Sequence, residues 1–445
     1  MKPAGTRQRS VAATDGVAGS SWLRRWSVVV MLLLFMLINY GDKTVLGLAA
    51  RPIMHEFGLS PSQYGLLSSS FFFLFSVCAL GVGLASSRIS TRWILLVLAL
   101  VWAVTQVSVV AAGGIGLLLA SRIVLGAAEG PAQPMALHAA HSWFPNTKRN
   151  IPSALIVGGG ALGGAIATPL LTVVIVHFGW RAAFLTMFLV GCVWCLLWLV
   201  IGRDGPADQA PAAAVPAGTG RVPYRRILLS GTWLGGFVGA FGAYWTSTLM
   251  VAWLPPYLET ALGYSTAEAA AITTIPWVAG LILTFAHGAI TQWLLHLGVP
   301  SRIARGVLGG GVLLLAGVAM LLLPLVTQPA LRIVLIALAF SFHGVTFANG
   351  QTVNSEISPP AQRGAVLSVS VALVTVAGLL APYLTGRFVE AADRPAAGFA
   401  TAFAIPGILM AAGGLAAMIF VRPERDARRI AALALPLPEN RETAR

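Results

Sequence analysis

The chain has 445 residues, of which 57% are hydrophobic and only 10% charged, with a mean hydropathy of +0.81 and a formal net charge of +14. Soluble domains carry about 25% charged residues, so the composition excludes a soluble domain and points to a polytopic membrane protein. The positive charge would suit nucleic acid, but it is distributed along the chain as membrane topology distributes it, and no nucleic-acid partner is expected.

A membrane-spanning helix needs about 20 apolar residues, and twelve stretches qualify. They cover 26–48, 62–85, 93–112, 115–140, 151–176, 180–202, 227–254, 268–295, 303–325, 331–355, 363–386 and 398–421. The first follows Arg24 and Arg25, as a signal peptide would. It is too long for a signal core, however, and ends in Asn39-Tyr40-Gly41-Asp42-Lys43 rather than a cleavage site, so it reads as span 1. The widest hydrophilic gap, 203–226, contains Pro206, Pro211, Pro216 and Pro223 and reads as a linker. The expected layout is a cytoplasmic segment over 1–25, a six-helix bundle over 26–202, a linker over 203–226, a second six-helix bundle over 227–421 and a cytoplasmic tail over 422–445. The fold class expected is an all-α membrane protein of twelve transmembrane helices in two six-helix pseudo-repeat bundles.

Orientation follows from Lys and Arg. With the N-terminus inside, cytoplasmic segments carry 22 of the 29 basic residues, concentrated before span 1, in the linker and in the tail. The outer segments carry Arg51, Arg181, Arg332, Arg387 and Arg394, while Lys43 and Arg122 fall within the membrane. This asymmetry places both termini in the cytoplasm and the protein in the inner or plasma membrane. The stretch from Arg149 to Pro169 weakly resembles that from Arg363 to Pro382: each opens on Arg and runs through small residues to Pro. Small residues let helices approach closely. Two parallel repeats of six spans predict halves that rock about a site near the midplane. In the tail, Arg422, Arg425, Arg428 and Arg429 suit orientation and anionic lipid headgroups.

Four ionisable residues lie inside the apolar runs. Such charges cost about 3 kcal/mol or more on insertion scales and normally face a polar cavity, a partner, or both. Arg122 and Glu129 in span 4 are seven residues apart, close to two helical turns, and so share a face. Asp42 and Lys43 are adjacent in span 1 and point to different faces. Lys43 is one of only three lysines beside 26 arginines; it reads either as an anchor for a substrate carboxylate or as half of a structural pair with Asp42 or Glu129. Arg122 suits a carboxylate bidentately or a gating pair with Glu129 or Asp42, and the gating pair is the favoured reading. Burial favours a neutral carboxyl and a nearby cation favours a charged one, so Asp42 and Glu129 are candidates to load and release protons; the alternative is a permanently paired carboxylate. Asn39 and Tyr40 in span 1, Tyr244, Trp245 and Thr248 in span 7, and His343, Phe347 and Asn354 on one face of span 10 are candidates for contacting the body of a substrate, or else packing residues. His138 and His141 read as interfacial. Cys192 and Cys195 have metal or redox spacing, but nothing nearby completes a site. No metal or cofactor is expected.

These residues carry a resemblance. Twelve spans in two halves resemble the major facilitator superfamily. Within it, Asn39-Tyr40-Gly41-Asp42-Lys43, the run Arg122 to Pro134 with Gly126, Glu129, Pro131 and Pro134, and Trp143-Phe144-Pro145 followed by Lys148 and Arg149 are similar to the anion:cation symporter family. Its members import organic anions such as sugar acids and aromatic carboxylates, usually with protons. The resemblance implies that Asp42 and Glu129 carry protons and that Lys43 and Arg122 handle the anion. It also implies a monomer. Lys43 stands where the family usually has Arg, a point charge in place of a planar fork. The superfamily's loop 2–3 acid is replaced by Ser87 and its second Gly by Ser90, and the matching loop 8–9 acid by Gln292. Since those acids normally latch the cytoplasmic side, an inward-leaning equilibrium is expected.

The leading reading is therefore a proton-coupled importer of a small organic anion, working by alternating access in the lipid bilayer. The few amides and several aromatics of spans 1, 7 and 10 tilt the substrate toward an aromatic or less hydroxylated acid. The alternative is a proton-coupled exporter of drugs or metabolites, although span 5 lacks the Gly-Pro step common in such exporters. No extramembrane domain suggests a receptor, and no nucleophile–base or metal constellation suggests an enzyme.

Overall fold

The computed structural model describes residues 22–86, 88–145, 148–206, 222–360 and 362–434. Segment 1–21, Ser87, most of the expected linker and the tail beyond Ala434 lie outside the described residues. Among the described residues the chain is helical throughout. Eleven helices are long and apolar enough to cross a membrane: Trp22–Leu48, Pro61–Ala85, Thr91–Val110, Ile115–His141, Ile151–Phe178, Trp180–Ile201, Thr266–His296, Arg302–Leu325, Pro329–Ile357, Arg363–Ala391 and Pro395–Phe420. A further pair, Gly231–Ala252 and Leu254–Ala261, bends by 62° and makes a twelfth when taken as one span. In chain order these are spans 1 to 12, with the bent pair as span 7.

Local chemistry sets the boundaries. Span 2 opens on a reciprocal cap, in which the Ser60 hydroxyl accepts from the Gln63 amide and the Gln63 side chain accepts from the Ser60 amide, with Pro61 at the first helical position. Spans 5 and 6 are separated only by Gly179, whose φ of 83° ends one helix and starts the next. Pro131 in span 4 and Pro255-Pro256 in span 7 lack amide donors and coincide with breaks. Three short helices were not anticipated in the sequence: Ala50–Phe57, Tyr224–Leu228 and Pro423–Ala434. All are amphipathic or too short to register as apolar runs.

The chain packs into two compact units. One holds the described residues of Met1–Ala212 with Ser247–Leu281 and Gly378–Ala402; the other holds those of Ala213–Thr246, Ile282–Ala377 and Phe403–Arg445.

In the first unit, span 1 packs most extensively against span 5, and span 3 against span 6. Span 4 lies so close to span 2 that a β-carbon at Gly126 would overlap the Phe71 carbonyl oxygen, and one at Gly130 the Phe75 carbonyl oxygen. Glycine at these two positions is what brings the charged face of span 4 against its neighbours. The Leu48 end of span 1 and the start of span 2 are bound to the later stretches of the same unit. The Tyr64 hydroxyl donates to the Ala252 carbonyl at 3.0 Å, the Trp253 indole to the Pro382 carbonyl at 2.9 Å, and the Tyr383 amide to the Ser69 hydroxyl at 3.0 Å. The Ser60 hydroxyl and Ser62 amide both donate to Glu390 Oε2, at 2.9 and 3.0 Å.

In the second unit, Trp233 and Phe237 stack at 5.0 Å beside a cavity of about 60 Å³ whose lining includes Asn349, Asn354 and Ser370. Helix Pro423–Ala434 docks through Ile430 onto Val222, Ile227, Trp233, Ile357 and Val366. Its Asp426 accepts from the Thr232 hydroxyl at 2.6 Å and amide at 3.0 Å, and from Arg425 at 2.8 Å. Burial alone would push the Asp426 carboxyl up. The hydrogen bonds from Arg425 and Thr232 outweigh it and hold the carboxyl below its ordinary range.

Candidate functional site

The polar centre of the first unit is built on one turn of span 1. Lys43 and Asp42 point to different faces, as their adjacency requires. The Lys43 ammonium lies 3.0 Å from Glu129 Oε2 of span 4 and donates to Asn39 Oδ1, one turn back, at 2.6 Å. It also sits 4.5 Å from the ring centroid of Tyr40 and 6.0 Å from that of Phe71, within reach of cation–π attraction. The Lys43 side chain keeps 20% of its surface exposed while Glu129 keeps none. Part of the Lys43 side chain is therefore reachable, whereas its carboxylate partner is sealed off.

Asp42 is turned to span 3, where Gln106 Nε2 donates to its Oδ1 at 2.7 Å. Both residues are 1% exposed. Arg122, 3% exposed, reaches the Asp42 main-chain carbonyl only at 3.5 Å, and its guanidinium lies 5.5 Å over the Phe184 ring. Asp42 Oδ2, Gln106 Oε1 and one Arg122 terminal nitrogen have no hydrogen-bond partner among the described residues. Removing one member of a buried, paired charge costs about 3–5 kcal/mol, so the members of this cluster of two cations and two carboxylates depend on one another. It comprises two sub-sites: Lys43 with Glu129, and Asp42 with Gln106 close to Arg122.

Span 1 has two further neighbours here. The Tyr40 ring meets the Trp277 ring edge-on at 5.7 Å. Trp277 of span 8 rests on Gly164 of span 5, where a β-carbon would overlap its ring.

The structure thus brings Asn39, Tyr40, Asp42, Lys43, Arg122 and Glu129 together in one unit. Thr248 belongs to the same unit and is buried. Tyr244, His343 and Phe347 belong to the other, each partly buried. His343 begins a new helix after the break at Phe342 and bonds the Phe340 carbonyl through Nδ1 at 2.8 Å. Asn354 bonds Ser370 at 3.3 Å, and His141 bonds Ser153 at 2.7 Å. Three contributors escaped the reading of the sequence: Gln106, Trp277 and Phe184. Gln106 had a signal, being the only amide in span 3, whereas the two aromatics are indistinguishable in sequence from packing residues. At loop 2–3 an acid does stand near the N-terminus of span 3. Asp204, just after span 6, accepts from the Ser90 hydroxyl and, at 3.0 Å, from the Arg92 amide. Gln292 is exposed. No group of three or more His, Cys, Asp or Glu able to hold a metal occurs among the described residues.

Fold and site together define a polytopic, all-helical membrane protein with a buried charged centre. The chain belongs to the Major Facilitator Superfamily, whose model matches residues 32–382 and 302–440. It is similar to the hexuronate transporter of Bacillus subtilis (29% identity over 402 residues, 89% of this chain and 94% of the relative). It is equally similar to a probable sulfoacetate transporter of Cupriavidus necator (29% over 417 residues, 90% and 94%). A probable L-galactonate transporter of Escherichia coli matches at 26% over 431 residues, 93% and 94%. These homologues are transporters of organic anions; the family and the relatives are transporters, not enzymes. Among solved structures, a bacterial homologue of the human lysosomal transporter Spinster, inward-facing and unoccupied, superimposes with a TM-score of 0.72 at 20% identity, covering 94% of this chain and all of the other. A D-xylose–proton symporter does so with a TM-score of 0.72 at 17% identity, covering 91% and 99%. Both share the fold of this chain.

Proposed function

We propose that this chain imports a small organic carboxylate by proton symport. The observation that carries the reading is the unequal exposure of the Lys43–Glu129 pair. A partly exposed lysine side chain can turn its ammonium to a substrate carboxylate, and its buried partner can release it by taking a proton. While Glu129 is ionised, it occupies the ammonium. Once Glu129 is neutral, the substrate carboxylate is the stronger partner, so proton and anion are taken up together. The adjoining rings of Tyr40 and Phe71 favour a substrate with a flat or apolar face beside its carboxylate. The relatives' substrates, as named, are small organic anions: a hexuronate, a sulfoacetate and an L-galactonate. Lys43 offers a point charge rather than a bidentate fork, which suits a single carboxylate oxygen.

The proposed layout is two six-helix halves, over 26–202 and 227–421, joined by a cytoplasmic linker and working as a monomer in the inner membrane with both termini inside. In that orientation the Leu48 end of span 1 is the outer end. The hydrogen bonds of Tyr64, Ser60, Ser62 and Ser69 to the later stretches of its unit then describe a closed outer side. This supports an inward-leaning resting state.

The test is uptake into proteoliposomes of sugar acids, aromatic acids and short aliphatic acids, with and without an inward proton gradient. The expected result is gradient-stimulated accumulation of one class, lost in Glu129→Gln. A Glu129→Gln protein that still concentrates substrate against its gradient would overturn the coupling role. Outward movement of cationic or neutral compounds, with no acid accumulating, would replace the reading with an exporter.

A further inference from the structure

Gln106 is an uncharged polar side chain of the first unit's centre that touches the Asp42 carboxylate. Its amide nitrogen donates to Asp42 Oδ1, while its amide oxygen, equally buried, has no donor among the described residues. Asp42 Oδ2 is likewise buried without a partner. A second buried glutamine shows what a purely structural amide does here. Gln362 of the other unit donates to the Val222 carbonyl at 2.7 Å and accepts from the Val222 amide at 2.9 Å, with both ends used. Gln106 uses only one.

An ionised carboxylate only accepts hydrogen bonds, and a protonated one must also donate. In a dry site an O–H without an acceptor costs about 1–3 kcal/mol. A primary amide offers both a donor and an acceptor on one rotatable group. Turned one way, Gln106 donates to ionised Asp42; turned by half a revolution, its oxygen accepts from protonated Asp42. Lys and Arg could serve only the first state, and an apolar residue neither. The charged groups facing Asp42 are Glu129 and Arg122 of span 4 and Lys43 beside it; the two cations cannot accept a hydrogen bond, and Glu129, the one acceptor, is paired with Lys43.

We propose that Gln106 is a positioning residue that holds Asp42 in both of its protonation states, by donating to the carboxylate and accepting from the acid, and thereby sets the pH at which transport is half-driven. The inference rests on the proton-symport reading and extends it by giving Asp42, a candidate carrier from the sequence, a proton beside that of Glu129.

The experiment measures initial uptake against pH in proteoliposomes for the wild type, Gln106→Leu and Gln106→Glu, with substrate counterflow at equal pH as the control for assembly. Gln106→Leu removes the bond to each state, but the bond to the ionised carboxylate is the stronger, being charge-assisted, so the midpoint should move to higher pH by about one unit, roughly a tenfold change in proton affinity. Gln106→Glu should move it further in the same direction, because two carboxyls in contact resist joint ionisation. A merely structural glutamine would lower counterflow and gradient-driven uptake together and leave the midpoint in place, and that result would overturn the inference. If neither variant assembles, infrared difference spectra of the wild-type protein on a pH jump decide it. The Asp42 carboxylic C=O band, assigned by its absence in Asp42→Asn, should rise together with a change in the amide bands of isotope-labelled glutamine. An Asp42 band that titrates with silent glutamine bands would overturn it. A wild type with no proton-driven uptake of any acid overturns the parent reading and this inference with it, whereas a driven wild type with unmoved midpoints overturns the inference alone.

Discussion

The two units handle buried polarity in opposite ways. In the second, the buried charged side chains and most polar ones are matched, His287 Nε2 and Ser341 Oγ being exceptions. Asp426 takes two bonds from Thr232 and one from Arg425, Trp233 and Asn354 share the Ser370 hydroxyl, Asn349 bonds the Arg305 carbonyl, and Arg305 holds Glu356 with Ser301. In the first, Asp42, Gln106 and Arg122 keep unmatched atoms in places that are 1–3% exposed. Buried polar groups normally find partners. A cluster that leaves several without them stores free energy, which a ligand or a proton can release. The difference separates charges matched within the fold from those that the proposed function would use.

Substitutions can break or sharpen that contrast. The largest effect is expected from Lys43→Met, which keeps the length of the side chain but leaves Glu129 buried and unpaired. Uptake at low substrate concentration should fall by about a hundredfold or more, and counterflow should fall with it, if Lys43 anchors the anion as proposed. Retained counterflow affinity would return Lys43 to a structural role. Gly126→Ala comes next. Its β-carbon meets a backbone oxygen that cannot swing aside, so spans 2 and 4 must separate at a cost of about 1–3 kcal/mol. The melting temperature in detergent should drop by about 2–4 °C or more, with uptake reduced. An unchanged melt would mean that the two spans are not held at this spacing.

In the second unit the same manipulations should move stability and spare affinity. Arg305→Met leaves Glu356 with Ser301 as its remaining partner. Both side chains of this pair keep some exposure, 20% and 24%, so solvent limits the loss to about 1–2 kcal/mol. KM should stay within about twofold of the wild type; a large rise in KM would place Arg305 in the transport site instead. The smallest effect is a pH dependence. The Asp426 carboxyl is held below its ordinary range in the folded protein, so it favours the fold most above the ordinary carboxyl value, near pH ~4. That contribution is lost as pH falls through the depressed value. Asp426→Asn should therefore destabilise the protein at neutral pH and narrow its difference from the wild type as the melt is repeated at lower pH. A difference that widens on acidification would contradict the hydrogen-bond account.

Much of this protein was legible in its sequence. The apolar runs gave the spans to within a few residues, except that span 7 continues past its bend to Ala261; hydropathy measures length and burial but not a kink at Trp253-Leu254-Pro255-Pro256. Asp42, Lys43, Arg122 and Glu129 stood out because a charge inside an apolar run is costly, and cost is visible without coordinates. The sequence left open which charge takes which partner. Helical spacing puts Arg122 and Glu129 on one face and does not say which side of span 1 that face meets. Tertiary packing decided it: Gly126 and Gly130 draw span 4 onto span 2, Lys43 takes Glu129, and Asp42 turns to Gln106 on span 3. The same holds for Trp277, which stands beside Tyr40 only because Gly164 leaves room for its ring. Hydrophobicity and charge act at each position alone and can be read from the chain one residue at a time. Pairing and orphaning depend on which helices meet, and only the folded structure brings those atoms together.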